Sequence, residues 1–197
     1  LALNASLTGT QLDLRATAQD GEAVRGRVQA RIAAIPVQGT LAQRLGAGAL
    51  TGQMRYSGPA DALWRLIALE AFDLTGEVAL AADVSGSLNV PQLRGSLASD
   101  GLRLRSALIG SDITGISIRG RFSGSRLDLT GFSGRAANGG LVSGSGSVDL
   151  AGIGQRAPSI DLRLAARGAQ ILSRDDMAAT VTGPLRITSD GVQGTIA

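Results

Sequence analysis

Few side chains in this 197-residue sequence could do chemistry, and those that could are nearly all carboxylates. The one adjacent acidic pair is Asp175-Asp176, next to Arg174. Two neighbouring carboxylates offer hard oxygen ligands of the kind Ca²⁺ or Mg²⁺ takes. No second acidic cluster accompanies them, so they read as a charged turn, and neither a metal nor a cofactor is expected. Gly144-Ser145-Gly146-Ser147 looks superficially like a phosphate-cradling loop, but it lies within an alternating stretch and opens no helix. Asn4-Ala5-Ser6 matches a glycosylation sequon, a weak pattern with meaning only in a eukaryotic secretory context. Three Glu and scarce aromatics argue against a sugar-cleaving carboxylate cleft.

The missing residue types exclude more. There is no His and no Cys, so Ser-His-Asp and Cys-His nucleophile systems are out. Thiolate or imidazole zinc sites and redox cysteine pairs go with them. All 19 basic residues are Arg; without Lys, P-loop and Schiff-base chemistry is also excluded. No catalytic residue is identified, and a non-enzymatic role is expected. The net charge is only +3, and the arginines are scattered singly between apolar residues. A nucleic-acid binder clusters them on one face with aromatics between, so no nucleic-acid partner is expected.

The elements that would position these residues are strands. Apolar residues alternate with polar ones down the whole chain, as in Leu12, Leu14, Ala16 and Ala18 against Asp13, Arg15 and Thr17. The same period carries Val24, Val28, Ala30 and Ile32 against Arg25, Arg27, Gln29 and Arg31. It returns in Val78, Leu80, Val84 and Leu88, in Ile116, Ile118 and Phe122, in Val148 and Leu150, and in Leu162 and Leu164. Period two marks a half-buried strand, and continuous apolar runs would be needed for a doubly buried parallel sheet. Turns are expected at Asp20-Gly21, Ser57-Gly58-Pro59, Asp100-Gly101, Ser123-Gly124, Asn138-Gly139-Gly140 and Asp190-Gly191. Gly totals 28, about double ordinary usage, and many of these sit inside strands. In-strand glycines at 86, 95, 120, 144, 146 and 183 predict curvature, bulges or close backbone approach.

One segment breaks the pattern. Ala60 to Phe72 has Leu63, Trp64, Leu66, Ile67 and Ala71 at helical spacings behind Pro59, and predicts a short amphipathic helix over 60–71 that plugs one end of a sheet. Residues 33–49 are ambiguous, with a strand over 37–42 and a short helix near Gln43. The longest apolar stretches are a few residues, far short of the roughly 18 a membrane-spanning helix needs. The chain begins at Leu1 in what already reads as strand, and is expected to be one repetitive β-domain, 1–197, cut from a longer chain. Its apolar face either closes into an ordinary sandwich or barrel core or stays open to meet lipid. A solenoid of a secreted structural or adhesive protein would also give Gly-rich alternating strands, although no fixed 20–30-residue period is present.

Ordered blocks then become familiar. Ala62-Leu63-Trp64-Arg65-Leu66 leads into Phe72-Asp73-Leu74-Thr75-Gly76, and Val84-Ser85-Gly86-Ser87-Leu88-Asn89-Val90-Pro91-Gln92-Leu93-Arg94-Gly95 follows. Later come Gly140-Leu141-Val142-Ser143-Gly144-Ser145-Gly146, Ile160-Asp161-Leu162-Arg163-Leu164, Arg174-Asp175-Asp176-Met177 and Val181-Thr182-Gly183-Pro184-Leu185-Arg186-Ile187. In order and spacing they resemble the TamB family of the bacterial translocation and assembly module, within the AsmA-like group, most strongly over 60–197. The family's extreme C-terminal portion, which engages the outer-membrane partner TamA, is not recognised in the chain. The resemblance implies a mainly β fold, a long curled antiparallel sheet with an apolar inner groove (a β-taco). It also implies a periplasmic place, with the parent chain anchored in the inner membrane of a Gram-negative bacterium. The implied cargo is phospholipid or unfolded outer-membrane protein, with a TamA-like partner reached through the parent chain. The residues expected to line the groove are Val78, Leu80, Val84, Leu88, Ile116, Ile118, Phe122, Val148, Leu150, Leu162 and Leu164. About 14 strands at roughly 4.8 Å each would make a groove some 60–70 Å long. The open edges of such a sheet are expected to self-associate.

Overall fold

A computed structural model of the chain describes residues 2–65, 72–151, 158–174, 177–190 and 194–196. The chain lays down β1 (Ala2–Thr8), β2 (Gln11–Asp20) and β3 (Ala23–Ala33), then α1 (Leu41–Ala47), β4 (Ala49–Pro59) and α2 (Ala60–Trp64). There follow β5 (Asp73–Thr75), β6 (Glu77–Gly86), β7 (Pro91–Ser106), β8 (Ser111–Gly124) and β9 (Arg126–Ala136). The last are β10 (Leu141–Asp149), β11 (Ser159–Ser173), β12 (Ala178–Ser189) and β13 (Gly194–Ile196). All thirteen strands belong to one antiparallel sheet. Each strand pairs with the next in sequence, except that β4 pairs with β6 while β5 pairs with the far half of β7. The sheet is not closed: β1 stands at one edge and β13 at the other. Twelve strands along the path give a length of about 50–55 Å, shorter than the sequence suggested. Antiparallel pairing of sequence neighbours also removes the solenoid, whose coils stack in parallel.

Period two sets which face each residue takes, and register carries that choice from strand to strand. The rung Leu80–Leu97–Gly120–Leu129–Gly146–Leu162–Ile187 crosses seven strands on the apolar face. A parallel rung runs Phe122–Leu127–Val148–Ile160. Where the two partners' residue counts disagree, bulges absorb the difference. Gly101 is the extra residue between the Asp100–Ser117 and Leu102–Ile116 pairs. It keeps Leu102 on the apolar side, so Asp100-Gly101 lies inside β7 rather than forming the expected turn. Ser57-Gly58-Pro59 likewise completes β4, paired with Ala79, Val78 and Glu77. The turns at Asp20-Gly21, Ser123-Gly124 and Asn138-Gly139-Gly140 form as expected, while Asp190-Gly191 falls partly outside the described residues.

The strand expected over 37–42 does not form. Thr40 caps α1 instead: its hydroxyl accepts from the Gln43 N–H at 3.3 Å, and the Gln43 side chain accepts from the Thr40 N–H at 3.0 Å. This reciprocal box satisfies two donors that a strand would have left to a partner. The predicted helix over 60–71 is described only as Ala60–Trp64, and residues 66–71 of it lie outside the described residues. Among the described residues no helix is long and apolar enough to cross a membrane.

Three buried clusters mark where the sheet is covered. Ile32, Ile35 and Leu50 pack with Leu45 of α1 and with Val84. Ala60 of α2 joins Val78, Leu102 and Ile116, with Leu63 and Tyr56 against them. Because Leu50 begins β4 and Ala60 follows its end, the two helices cover opposite rims of the sheet. The third cluster, Ala136, Val142, Ala166 and Ala169, lies beneath a fold-over. There the Ser173 N–H at the end of β11 donates to the Ile109 carbonyl in the β7–β8 turn at 3.0 Å.

Two tests follow from this packing. Gly95 holds φ +151°, and a Cβ on it would collide with the Ala81 carbonyl, whereas a Cβ on Gly131 meets nothing within 4 Å. Gly95→Ala is expected to cost about 1–3 kcal/mol by chemical denaturation, and Gly131→Ala to stay within about 0.5 kcal/mol of the parent. Ile116 is 2% exposed, so Ile116→Ala is expected to cost about 2–5 kcal/mol. Half-buried Leu162 is expected to lose about 1 kcal/mol on the same truncation.

Candidate functional site

The eleven residues singled out by sequence fall on four strands, β6, β8, β10 and β11, or just beyond their ends. Val78 and Leu80 of β6 are buried, Leu80 at 8% exposure, and Val84 of the same strand is half-buried near α1. On β8, Ile116 is buried, while Ile118 and Phe122 are half-buried. Val148 of β10, Leu162 and Leu164 of β11, and Leu150 just after β10 are half-buried. Leu150 is held at the strand end by its N–H, which donates to the Ser125 carbonyl at 2.8 Å. Leu88 stands apart: β6 ends at Gly86, and Leu88 lies 51% exposed in the turn to β7, outside the ladder. The alternation that suggested otherwise runs past Gly86, whose φ of +92° ends the strand.

Register brings most of the set together. Leu162 shares a rung with Leu80, Val148 shares one with Phe122, and Ile118–Phe132–Gly144–Leu164–Leu185 forms a third. Leu127, Leu129, Ile160 and Ile187 face the same way without having been singled out. Their signal was in the sequence, as the same alternation on neighbouring strands. The set divides by what covers it. Val78 and Ile116 sit under α2 and are core. Phe122, Val148 and Leu162 lie between the covered rims and outside the three buried clusters. Glycine shapes this middle strip. A Cβ at Gly146 would stand 2.9 Å from Leu162 Cδ2, and one at Gly120 would stand 2.9 Å from Leu127 Cδ1. The leucines lean over their glycine neighbours, so the strip is smooth and shallow rather than studded with side chains.

The opposite face is laced by ion pairs. Arg31 Nε donates to Asp13 at 2.8 Å, Arg55 Nη2 to Asp83 at 2.9 Å, and Arg119 Nη2 to both Asp100 oxygens at 2.8 Å. Arg186 meets Asp161 through two parallel bonds of 3.0 Å, and Arg103 grips Asp112 in the same way. All are solvent-exposed, so each contributes little alone. Asp175 and Asp176 lie outside the described residues, and no cluster of metal-ligating side chains occurs among the described ones. Tyr56 is the one phenol. Its hydroxyl donates to the Pro59 carbonyl at 2.7 Å, and burial pushes its pKa up.

The arginines hold three carboxylates below their usual range: Asp13 through hydrogen bonds from Arg31 and Gln11, Asp112 through Arg103, and Asp161 through Arg186. A carboxylate depressed by folding stabilises the fold above its unfolded pKa of about 4, and that contribution is lost as pH falls through the lower folded value. The thermal midpoint is therefore expected to fall between about pH 4 and pH 2. The drop should be smaller in an Asp112→Asn, Asp161→Asn double variant, as differential scanning calorimetry would show.

Residues 128–197, which run from within β9 through β10 and β11 to the end of the chain, match the family model of the TamB C-terminal domain. No curated protein and no solved structure matches the chain. The match agrees with the family suggested by the ordered sequence blocks and places the likeness in the family's C-terminal domain, which those blocks had not singled out. That family is one of Gram-negative envelope transport and assembly components rather than of enzymes. Over residues 128–197 the chain is thus similar to the TamB C-terminal domain, and it carries that likeness on an open antiparallel sheet with one apolar face.

Proposed function

We propose that the chain is a periplasmic segment of a TamB-like envelope protein. In this reading its apolar strip carries lipid acyl chains, or holds unfolded outer-membrane strands, between the two membranes. The observation that carries the proposal is the run of register-matched apolar rungs from β6 to β12, only half-buried at Phe122, Val148 and Leu162 and covered by α1, α2 and the fold-over alone. Keeping a chain on such a strip retains about 0.8 kcal/mol per buried CH₂ that water would cost, so movement along it needs no energy-coupled step. The parent chain would be anchored in the inner membrane and would reach a TamA-like outer-membrane partner. The unpaired edge of β1, with Leu3 68% exposed, supports a second expectation: strand-to-strand self-association at high concentration.

Lipid is the cargo that the smooth aliphatic strip favours, because acyl chains need no side-chain pockets. Site-specific photo-crosslinking in cell envelopes tests it. A benzophenone side chain at Leu162 is expected to label phospholipid, and one at Arg163, on the opposite face, is not. Equal labelling at the two positions would remove the assignment of faces. Labelling of unfolded outer-membrane protein alone would replace lipid by strand cargo.

A further inference from the structure

Asn138-Gly139 is the one Asn-Gly step in the chain, and its turn does more than join β9 to β10. The turn docks on β11 where Gly168, at φ +57°, interrupts the ladder to β12. Asn138 Nδ2 donates to the Gly168 carbonyl at 2.8 Å. Asn138 Oδ1 accepts from the Gln170 N–H and from the Gly140 N–H, both at 3.2 Å. This pattern fixes the orientation of the amide, since the reversed amide would set donor against donor. Gly140 sits so close to β11 that a Cβ on it would collide with the Gly168 carbonyl. Gly168 is held in turn, its N–H donating to Thr182 Oγ1 at 2.9 Å. The docked turn borders the cluster beneath the fold-over: Ala136 precedes it, Val142 follows it, and Ala169 follows Gly168.

An Asn-Gly step carries a reaction of its own. The backbone nitrogen of the glycine attacks the asparagine Cγ, a cyclic succinimide closes, and the amide nitrogen leaves as ammonia. Water then opens the ring at either carbonyl, giving aspartate or isoaspartate. Water enters and ammonia leaves, so neither an oxidant nor a reductant is needed. Glycine has no side chain to hinder the attack. The folded turn opposes it in two ways. The Gly139 N–H, which must lose its proton to attack, donates to the Ala136 carbonyl at 2.9 Å. The Asn138 amide, which must swing over Gly139, is held by its bonds to Gly168, Gln170 and Gly140. Reaction therefore requires the turn to leave β11, a local opening. The product does not regain the same seat. A carboxylate has no hydrogen to give the Gly168 carbonyl, and it sets two acceptors face to face.

We propose that Asn138 is a modification site gated by β11: it stays an amide while the turn is docked, and its conversion to aspartate or isoaspartate unseats the turn from the fold-over. The site stands or falls independently of any cargo on the apolar strip. Incubation of the purified chain at mildly alkaline pH, followed by peptide mapping with mass spectrometry, tests it. A synthetic peptide of residues 135–141 supplies the unprotected rate. Asn138 in the chain is expected to react at least about tenfold more slowly than in the peptide. Gly140→Ala, which crowds the Gly168 carbonyl, is expected to recover most of that factor, while Gly131→Ala, whose Cβ meets nothing within 4 Å, leaves the rate unchanged. Hydrogen exchange reads the consequence. In Asn138→Asp the Gln170 N–H is expected to exchange at least about tenfold faster than in the parent, with Leu164, farther along β11, unaffected. Reaction of the folded parent at the rate of the peptide, equal acceleration by both glycine variants, or unchanged exchange at Gln170 in Asn138→Asp would each overturn the proposal.

Discussion

A one-residue slip between any two neighbouring strands would carry every apolar side chain of the slipped strand to the arginine face. With only two short helices among the described residues, the sheet has almost nothing else there to hide those side chains against, so facing is the constraint on which the rest of the structure depends. The bulges are placed to respect it. At Gly101, at Thr114–Gly115 and at Arg167–Gly168 the residue count changes, and in each case the apolar residue beyond returns to the correct side. Leu102 meets Ile116, Leu104 meets Ile113, and Ala169 meets Val181. The bulge at Arg25 is the exception, since it sends Val24 outward. Val24 is also where the charged face gains an apolar wall.

The ion pairs enforce the same facing from the other side. Asp13 stands directly opposite Arg31, and the Arg55–Asp83, Arg119–Asp100 and Arg186–Asp161 pairs are diagonal neighbours, so a slip would separate the partners. Exposed pairs of this kind add little stability one by one. Their larger effect is on register, where wrong pairings are penalised as the right ones are rewarded. The alternation of aliphatic and arginine residues is therefore a specification of register as much as of burial.

Most of the fold was legible in the sequence because period two is a local signal. Alternation placed Leu80, Phe122, Val148 and Leu162 on one face before any pairing was known, and the structure joins them through two rungs. What failed was punctuation. Asp-Gly at 100–101 and Ser-Gly-Pro at 57–59 carry turn chemistry, yet a bulge in one case and the tail of a long strand in the other keep them in the sheet. Leu88 was misjudged for the reverse reason, since its spacing continued the strand while Gly86 ended it. The 37–42 stretch shows tertiary context arbitrating: Thr40 and Gln43 form a capping box, and Leu45 then has the Ile32–Leu50 cluster to cover. No local pattern could separate Ile116 from Phe122. Both are apolar residues of β8 on one face, and only the position of α2 makes the first core and leaves the second half-open.

That last distinction bears on what the apolar face does. A side chain with the same periodicity and the same neighbours becomes core or lining according to what stands opposite it. Here α1, α2 and the meeting of the β7–β8 turn with the end of β11 supply three covers. Between them the leucines lie over glycines at 120 and 146 rather than rising into space that a second layer would fill. A closed core would need large side chains to meet across the sheet, and this chain has five aromatic residues, of which Tyr56 and Trp64 spend their polar atoms on the Pro59 and Phe72 carbonyls near α2. The shortage of large residues and the surplus of glycine are then two aspects of one design. They give a sheet thin enough to bend, smooth along its apolar strip, and covered only at α1, α2 and the fold-over.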